Sequence, residues 1–465
     1  MTPPADPSPL SPAEKDALIG ALLARVDALT GQVAELTARV AALESENAAL
    51  RAKLGEPPKT PGNSSTPPSQ GHKAGGTPGR SAKSKPHAGA HRPLHPNPTR
   101  CRKVLAERCP HCRADVSGAA QAPVHTYDRI EIPEITPDVT RVVLHGGVCP
   151  CCGGRFKAEP PAGLEPGAPW GPNLRAFVLY LRFTHAISFE RLARLLSDLL
   201  GLEISEGALV NLLADSRLAF ARQAAAIRAR LLEGTILQSD ETGIRVGARS
   251  WWTWVFHHGD SACFRIRPGR GKAVVEEFLG TRRPAFWVSD RLGAQMGWAT
   301  EGQQVCLAHL LRDAQYAIDA GDTVFAPAFR ALLVRACAYG ARRESLADTT
   351  LRAYAARLEA RLDGLLRLAP ACPQGVKLQR AIKKYRQNLF VFLAERAVPA
   401  TNNGSEQALR PSVVFRKVTN CFRSEWGAHL YADIRSVLET ARRRAIAPLD
   451  AIRLTLQGTP LPLPP

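Results

Sequence analysis

Two carboxylates, far apart in the chain, sit where an acid is costly without a partner. Asp240 interrupts the apolar run Thr235–Val246 (TILQSDETGIRV), and Asp290 ends a second run, Pro284–Asp290 (PAFWVSD). A carboxylate within or just beyond a buried strand is stable only when paired or metal-bound. If the two runs are neighbouring strands, the acids can hold divalent cations roughly 4 Å apart, the geometry of in-line displacement at phosphorus. That chemistry needs a third acid. Glu406 supplies it from TNNGSEQALRP (401–411), where Asn402, Asn403 and Ser405 offer oxygens to cap a helix start. Taken singly, each acid reads as well as a turn, a salt bridge or a cap.

Sulfur gives the second constellation. Cys109-Pro-His-Cys112 and Cys149-Pro-Cys-Cys152 are two C-x-x-C knuckles, with Cys151 an alternative ligand one residue away. Four thiolates in tetrahedral array fit one Zn²⁺ and leave no open position, so this site is structural and not catalytic. β-type runs at Asp128–Ile132 and Arg141–His145 would bring the knuckles together as a zinc ribbon over residues 104–158. Six of the eleven cysteines lie between Cys101 and Cys152. Without an export signal at the N-terminus, such clustering favours metal in a reducing compartment over disulfides.

The elements that must position the acids follow from pattern. Strands are expected at Thr235–Val246, Ser250–His257 and Cys263–Arg267, then a helix at Lys272–Leu279, then the strand ending in Asp290. Three meander strands, a helix and a fourth strand open a ribonuclease H-like α/β core, whose first and fourth strands are central neighbours. The 115 residues between Asp290 and Glu406 exceed what that core needs. Their helical stretches (Val324–Ala341, Leu351–Leu368, Lys377–Ala397) read as an α-helical insertion, about 300–400, within a catalytic domain spanning 234–445. A C-terminal tail follows, 446–465. Trp251, Trp252 and Trp254 read as core, and Arg442–Arg444 as a solvated helix face.

Upstream, residues 172–233 are helical. Ser188 and Ser205 can cap two helices that Gly201 separates, a helix–turn–helix-like pair that is also common in ordinary cores. Residues 56–103 read as a disordered basic linker: positions 57–103 hold nine Lys/Arg, four His and ten Pro, with no Asp or Glu. Within 15–55, Leu22, Leu29, Leu36, Leu43 and Leu50 recur every seven residues, three after Ile19, Val26, Val33, Val40 and Asn47. This is the signature of a parallel two-stranded coiled coil, with Asn47 fixing register. The implied partner is a second copy through residues 19–54.

The 465 residues carry a net charge of +19, which points to a polyanion, nucleic acid first. At 45% hydrophobic residues the chain can build real cores. No uninterrupted apolar run has the ~18 residues of a bilayer span.

Taken together, these motifs resemble the insertion-sequence-sixty-six family of bacterial DDE transposases. The resemblance is carried by the zipper, NSSTPPS (Asn63–Ser69), the two knuckles, SDETGIRV, the VSD that ends in Asp290, CLAHLLRD (Cys306–Asp313), NNGSEQALRPSVVFRK (Asn402–Lys417) and Ser424. It departs at Gln407 and Val418. The resemblance implies Asp240, Asp290 and Glu406 as the catalytic triad, holding two Mg²⁺ or Mn²⁺. It also implies a Cys-x-x-His and Arg at Cys306, His309 and Arg312. These last two side chains could bind a scissile phosphate or orient a carboxylate, and Arg410, Arg416 and Lys417 suit phosphate contact. The function implied is cleavage of element ends and their joining to target DNA, in the bacterial cytoplasm at the nucleoid. It includes no membrane role and admits accessory proteins of the same element. The rival expectations are a ribonuclease H-like nuclease without strand transfer, and a DNA-binding protein that has lost catalysis.

Overall fold

The computed structural model describes residues 11–54, 56–64, 92–167 and 169–464. Residues 65–69 of the NSSTPPS stretch, the rest of the linker to His91 and the Leu50 side chain lie outside the described residues.

Helix α1 (Pro12–Leu54) is unbroken. Its heptad residues from Ile19 to Leu43 are 48–62% exposed, an apolar stripe that nothing among the described residues covers. By length and composition alone, Pro12–Asn47 is apolar enough to cross a membrane. Arg25, Asp27, Glu35 and Arg39 recur between its leucines. Residues 56–64 correct the expectation of a free linker. Glu56 accepts from Tyr316 (3.1 Å) and Gln374 (2.8 Å), and the buried Asn63 donates to Asp319 (2.9 Å).

Between 92 and 167 the described strands are β1 (Gly146–Val148) and β2 (Arg155–Lys157), an antiparallel pair. The expected strands at Asp128–Ile132 and Arg141–His145 are not formed. Their β-branched side chains are mostly exposed and have no sheet to pack on.

Four helices follow: α2 (Pro172–Thr184), α3 (Phe189–Leu200), α4 (Glu206–Asp215) and α5 (Arg217–Glu233). Ser188 and Ser205 accept from the Arg191 and Ala208 amides as N-caps, and Gly201 closes α3 at φ 62°, a left-handed conformation glycine tolerates best. The apolar faces of α3 and α4 (Leu192, Leu196, Leu209, Leu212, Leu213) are buried in the same core as the sheet.

The sheet holds β3 (Ile236–Val246), β4 (Arg249–His258), β5 (Ser261–Arg267), β6 (Phe286–Ser289) and β7 (Gly302–Val305) in the order β5-β4-β3-β6-β7. The β3–β4 and β4–β5 pairs are antiparallel; β3–β6 and β6–β7 are parallel. β3 is therefore central with β6 beside it, while β7 has no counterpart in the sequence reading. On one face Trp254, Phe256 and Trp287 pack under α6 (Lys272–Leu279), whose Phe278 stacks on Phe256 with centroids 3.8 Å apart.

A second core gathers around α7 (Leu307–Asp319), α8 (Phe325–Arg342), α9 (Asp348–Leu365), α10 (Pro373–Lys384) and α11 (Val391–Ala394). The helical stretch expected at 377–397 is two helices, broken after Lys384. Finally α12 (Asn403–Thr419) and α13 (Glu425–Arg443) return to the sheet, and α14 (Pro448–Leu456) closes the chain. Trp251 and Trp254 are core, whereas Trp252 is only half-buried beneath Arg270.

Candidate active site

Successive side chains on a strand alternate between faces, so β3 sends Asp240 and Glu241 to opposite sides of the sheet. Asp240 shares its face with Gln238, Thr242 and His257, the face that α12 covers. Gly404, near the start of α12, is what permits close approach: a Cβ there would lie 3.1 Å from the His257 ring. Asp290 follows β6 directly. Cys306, between β7 and α7, donates its amide to the Ser289 carbonyl (3.0 Å), and Leu307 donates to Ala400 (3.1 Å). The start of α7 is thus pinned between the end of β6 and the segment leading into α12.

That anchoring sets His309 and Arg312 between the acids. His309 Nδ1 lies 2.9 Å from Asp290 Oδ1, and its Nε2 lies 3.6 Å from Glu406 Oε1. Arg312 Nη2 donates to the same Glu406 oxygen at 3.0 Å. Burial, with Asp290 and Glu241 alongside, pushes the Asp240 carboxyl well above the ordinary carboxylate range. For His309, burial opposes charge, but contact with Asp290 and with Cys306 outweighs it and raises the imidazole to about 10. Asp290, Glu406, His309 and Arg312 therefore form one cluster, with Asp240 close enough for its charge to couple to Asp290.

The carboxylate oxygens of Asp240, Asp290 and Glu406 are the kind of donor a hard divalent cation takes. Asp290 Oδ1 is buried without an aligned hydrogen-bond donor, despite its nearness to His309, and an ion is one way to satisfy such an atom. Ligand atoms of Asp290, Cys306 and His309 lie within 4.8 Å of one another, a mixed oxygen, sulfur and nitrogen set that suits a softer metal than Mg²⁺. Among the described residues, Asp240, Asp290 and Glu406 do not come that close together.

Other residues expected at the site are placed differently. Arg416 donates to Thr242 Oγ1 (3.2 Å) and the Gly243 carbonyl, tying α12 to β3 instead of standing open to phosphate. Arg410 and Lys417 are exposed on α12. Glu241, on the opposite face from Asp240, is buried: its side chain is 4% exposed, bonded to Arg270 (2.6 Å) and to Gln295. Asn402 does not cap α12 with its side chain; its amide donates instead to the Ser239 carbonyl on β3 (2.8 Å). The sequence signal for it was the NNGS run, read there as capping oxygens.

Both cysteine knuckles adopt the same turn. Cys109 accepts from Arg113 (2.8 Å) and donates to Ala114 (2.9 Å); Cys149 accepts from Gly153 (2.9 Å) and donates to Gly154 (2.8 Å). Arg113 and Gly153 take matching φ values of 64° and 69°. Backbone amides of Cys112 and His111 lower the Cys109 thiol below its ordinary range, and those of Cys152 and Cys151 do so for Cys149. Among the described residues, however, no three of these sulfurs come within 4.8 Å of one another.

The pattern of a family described as Transposase IS66 family matches residues 167–430. The match runs from just before α2 into α13 and takes in all three acids, His309 and Arg312. No curated protein matches the chain. With more than half of its length matched, and the sheet and its acids inside the match, the chain belongs to the IS66 family of transposases.

Proposed function

We propose that this transposase cleaves the ends of its own element and joins them to target DNA at Asp240, Asp290 and Glu406. The observation that carries the reading is that Asp290 and Glu406 meet at His309, with Arg312 holding Glu406 and Asp240 near enough for its charge to act on Asp290. The sheet order, three antiparallel strands followed by two parallel ones, supports a ribonuclease H-like core. The acids would hold two Mg²⁺ or Mn²⁺ ions, which supply Lewis-acid activation of the attacking oxygen and neutralise charge on the leaving one. Arg312 holds Glu406 in place by a charge-assisted hydrogen bond, and His309 separates Asp290 from Glu406. Arg410 and Lys417, on the exposed side of α12, suit contact with DNA phosphates. Water attacks at the element end and releases a 3′-hydroxyl. That hydroxyl then attacks a target phosphodiester, forming one P–O bond as another breaks.

Supplied with its terminal repeats and a target duplex, the protein should yield joined products in Mg²⁺. Cutting without joining would favour a plain nuclease. DNA binding with neither cutting nor joining would favour a protein that has lost catalysis.

The exposed heptad stripe supports a parallel coiled-coil dimer through α1. Deleting residues 12–54 should convert a dimer or higher assembly into a monomer in sedimentation, with the core still folded. An unchanged oligomeric state would refute the zipper. The matched knuckle turns support one structural Zn²⁺ at Cys109, Cys112, Cys149 and Cys152, with the metal itself drawing the knuckles together. Such sites are worth about 10–16 kcal/mol in small peptides. One zinc per chain is expected by metal analysis, lost on combining Cys112→Ser with Cys149→Ser. Zinc retained by that variant would contradict the assignment.

A further inference from the structure

We infer that Asn402 is the positioning residue that fixes the spacing of the three acids. This rests on the metal-dependent reading of the site. Asn402 is fully buried at the junction of the elements that carry the acids. Its side-chain amide donates to the Ser239 carbonyl at 2.8 Å, one residue before Asp240. Its backbone amide donates to Cys306 Sγ at 3.1 Å, and the Cys306 amide in turn bonds the Ser289 carbonyl at 3.0 Å, one residue before Asp290. Its own carbonyl accepts from the Glu406 amide at 3.3 Å. Each acid is thus one residue or one hydrogen bond from a group that Asn402 holds, directly or through Cys306.

The polarity of the bonds explains the residue type. Ser405 Oγ donates to Asn402 Oδ1 (2.7 Å), so His257 Nε2, 2.8 Å from Ser405 Oγ, is the donor to that hydroxyl. Donation runs His257 to Ser405 to Asn402 to the Ser239 carbonyl, all of it buried. The link needs an acceptor and a donor on one short side chain, which a carboxamide provides. An aspartate would set a carboxylate oxygen against the carbonyl.

Outer partners that hold metal ligands typically change metal affinity by about 10–100-fold when lost. The test is Mn²⁺ binding to the full-length protein, followed by electron paramagnetic resonance, beside thermal unfolding and the Mg²⁺ concentration for half-maximal cleavage. Asn402→Asp should remain folded, bind Mn²⁺ about tenfold or more weakly, and need correspondingly more Mg²⁺. Ser405→Ala, which removes one link, should lie between it and the unaltered protein. A merely structural role would lower the unfolding temperature and leave the Mn²⁺ affinity of the folded protein unchanged.

Asp240→Asn separates the two claims. If it loses Mn²⁺ while a folded Asn402→Asp keeps full affinity, the role of Asn402 is overturned and the metal site stands. If Asp240→Asn itself keeps full affinity, the metal reading fails and this inference with it. Should Asn402→Asp not fold, Ser405→Ala and His257→Gln carry the test: weakened Mn²⁺ binding is expected, and unchanged affinity in both overturns the proposal.

Discussion

Asp240→Asn, Asp290→Asn and Glu406→Gln should each lower end cleavage and joining by several orders of magnitude while leaving DNA affinity near normal. Each change preserves shape and removes one charge from the group proposed to hold the cations. Affinity for DNA comes from basic side chains elsewhere, in a chain of net charge +19, so it should survive or rise slightly. Asp240→Asn has a second expected signature. Burial and the like charges of Asp290 and Glu241 make ionised Asp240 unfavourable in the fold. The neutral variant should therefore unfold at an equal or higher temperature in the presence of a chelator. Glu241→Gln is the contrast. Its carboxylate lies on the opposite face, bonded to the half-exposed Arg270 and to Gln295, and burial raises it above its ordinary range, so the variant should keep both its stability and its cleavage per folded molecule. Near-normal cleavage by all three neutral variants would defeat the mechanism. A Glu241→Gln defect as deep as that of Asp240→Asn, in fully folded protein, would show that the wrong acid was assigned.

Glu439→Gln should cost about 3–5 kcal/mol of folding stability at neutral pH, because it leaves buried guanidinium groups without a countercharge. The Glu439 side chain is 2% exposed and bonds Arg442 (2.6 Å) and Arg443 (3.1 Å), with Arg435 at 3.8 Å. Burial acts to raise its carboxyl, but the arginines prevail and hold it below the ordinary range. A carboxyl with a depressed folded-state pKa contributes fully above its unfolded value of about 4.3. That contribution is lost as pH falls through the folded value. The gap between Glu439→Gln and the unaltered protein in urea unfolding should therefore be wide at pH 7 and narrow in acid. Arg442→Ala, on the exposed rim, should cost no more than about 1 kcal/mol. A loss below about 1 kcal/mol for Glu439→Gln would mean the cluster is dispensable.

This arginine cluster also shows where the sequence was misleading. Arg442–Arg444 read as a solvated face, yet Arg444 is buried against Asp260, Ser261 and the Leu461 carbonyl. The Glu439 spacing of three and four residues to Arg442 and Arg443 was a legible sign of pairing; the partners of Arg444 come from 17 and more residues away. The long strands were plain because β-branched and aromatic residues crowd them. β7 escaped because it has only four residues, and two are glutamines. Gln303 and Gln304 are nevertheless buried, bonded to Ser289, Leu389 and the Gln295 carbonyl. Asp240 and Asp290 were visible as acids out of place in apolar runs. Asn402 was not, because its role depends on a carbonyl 163 residues earlier in the chain, and nothing local distinguishes it from a helix cap. Likewise Arg416 looked available for phosphate until β3 was seen to bind it.

The central claim is that Asp240, Asp290 and Glu406 together hold divalent cations, and iron-directed backbone cleavage tests it most directly. Fe²⁺ is substituted for Mg²⁺ in the full-length protein, ascorbate and peroxide are added, and the fragments are mapped. Cuts clustered near residues 240, 290 and 406, suppressed by excess Mg²⁺ and lost together in Asp240→Asn, are the predicted result. Cuts confined to other segments, or no Mg²⁺-sensitive cuts near these three residues, would contradict the account.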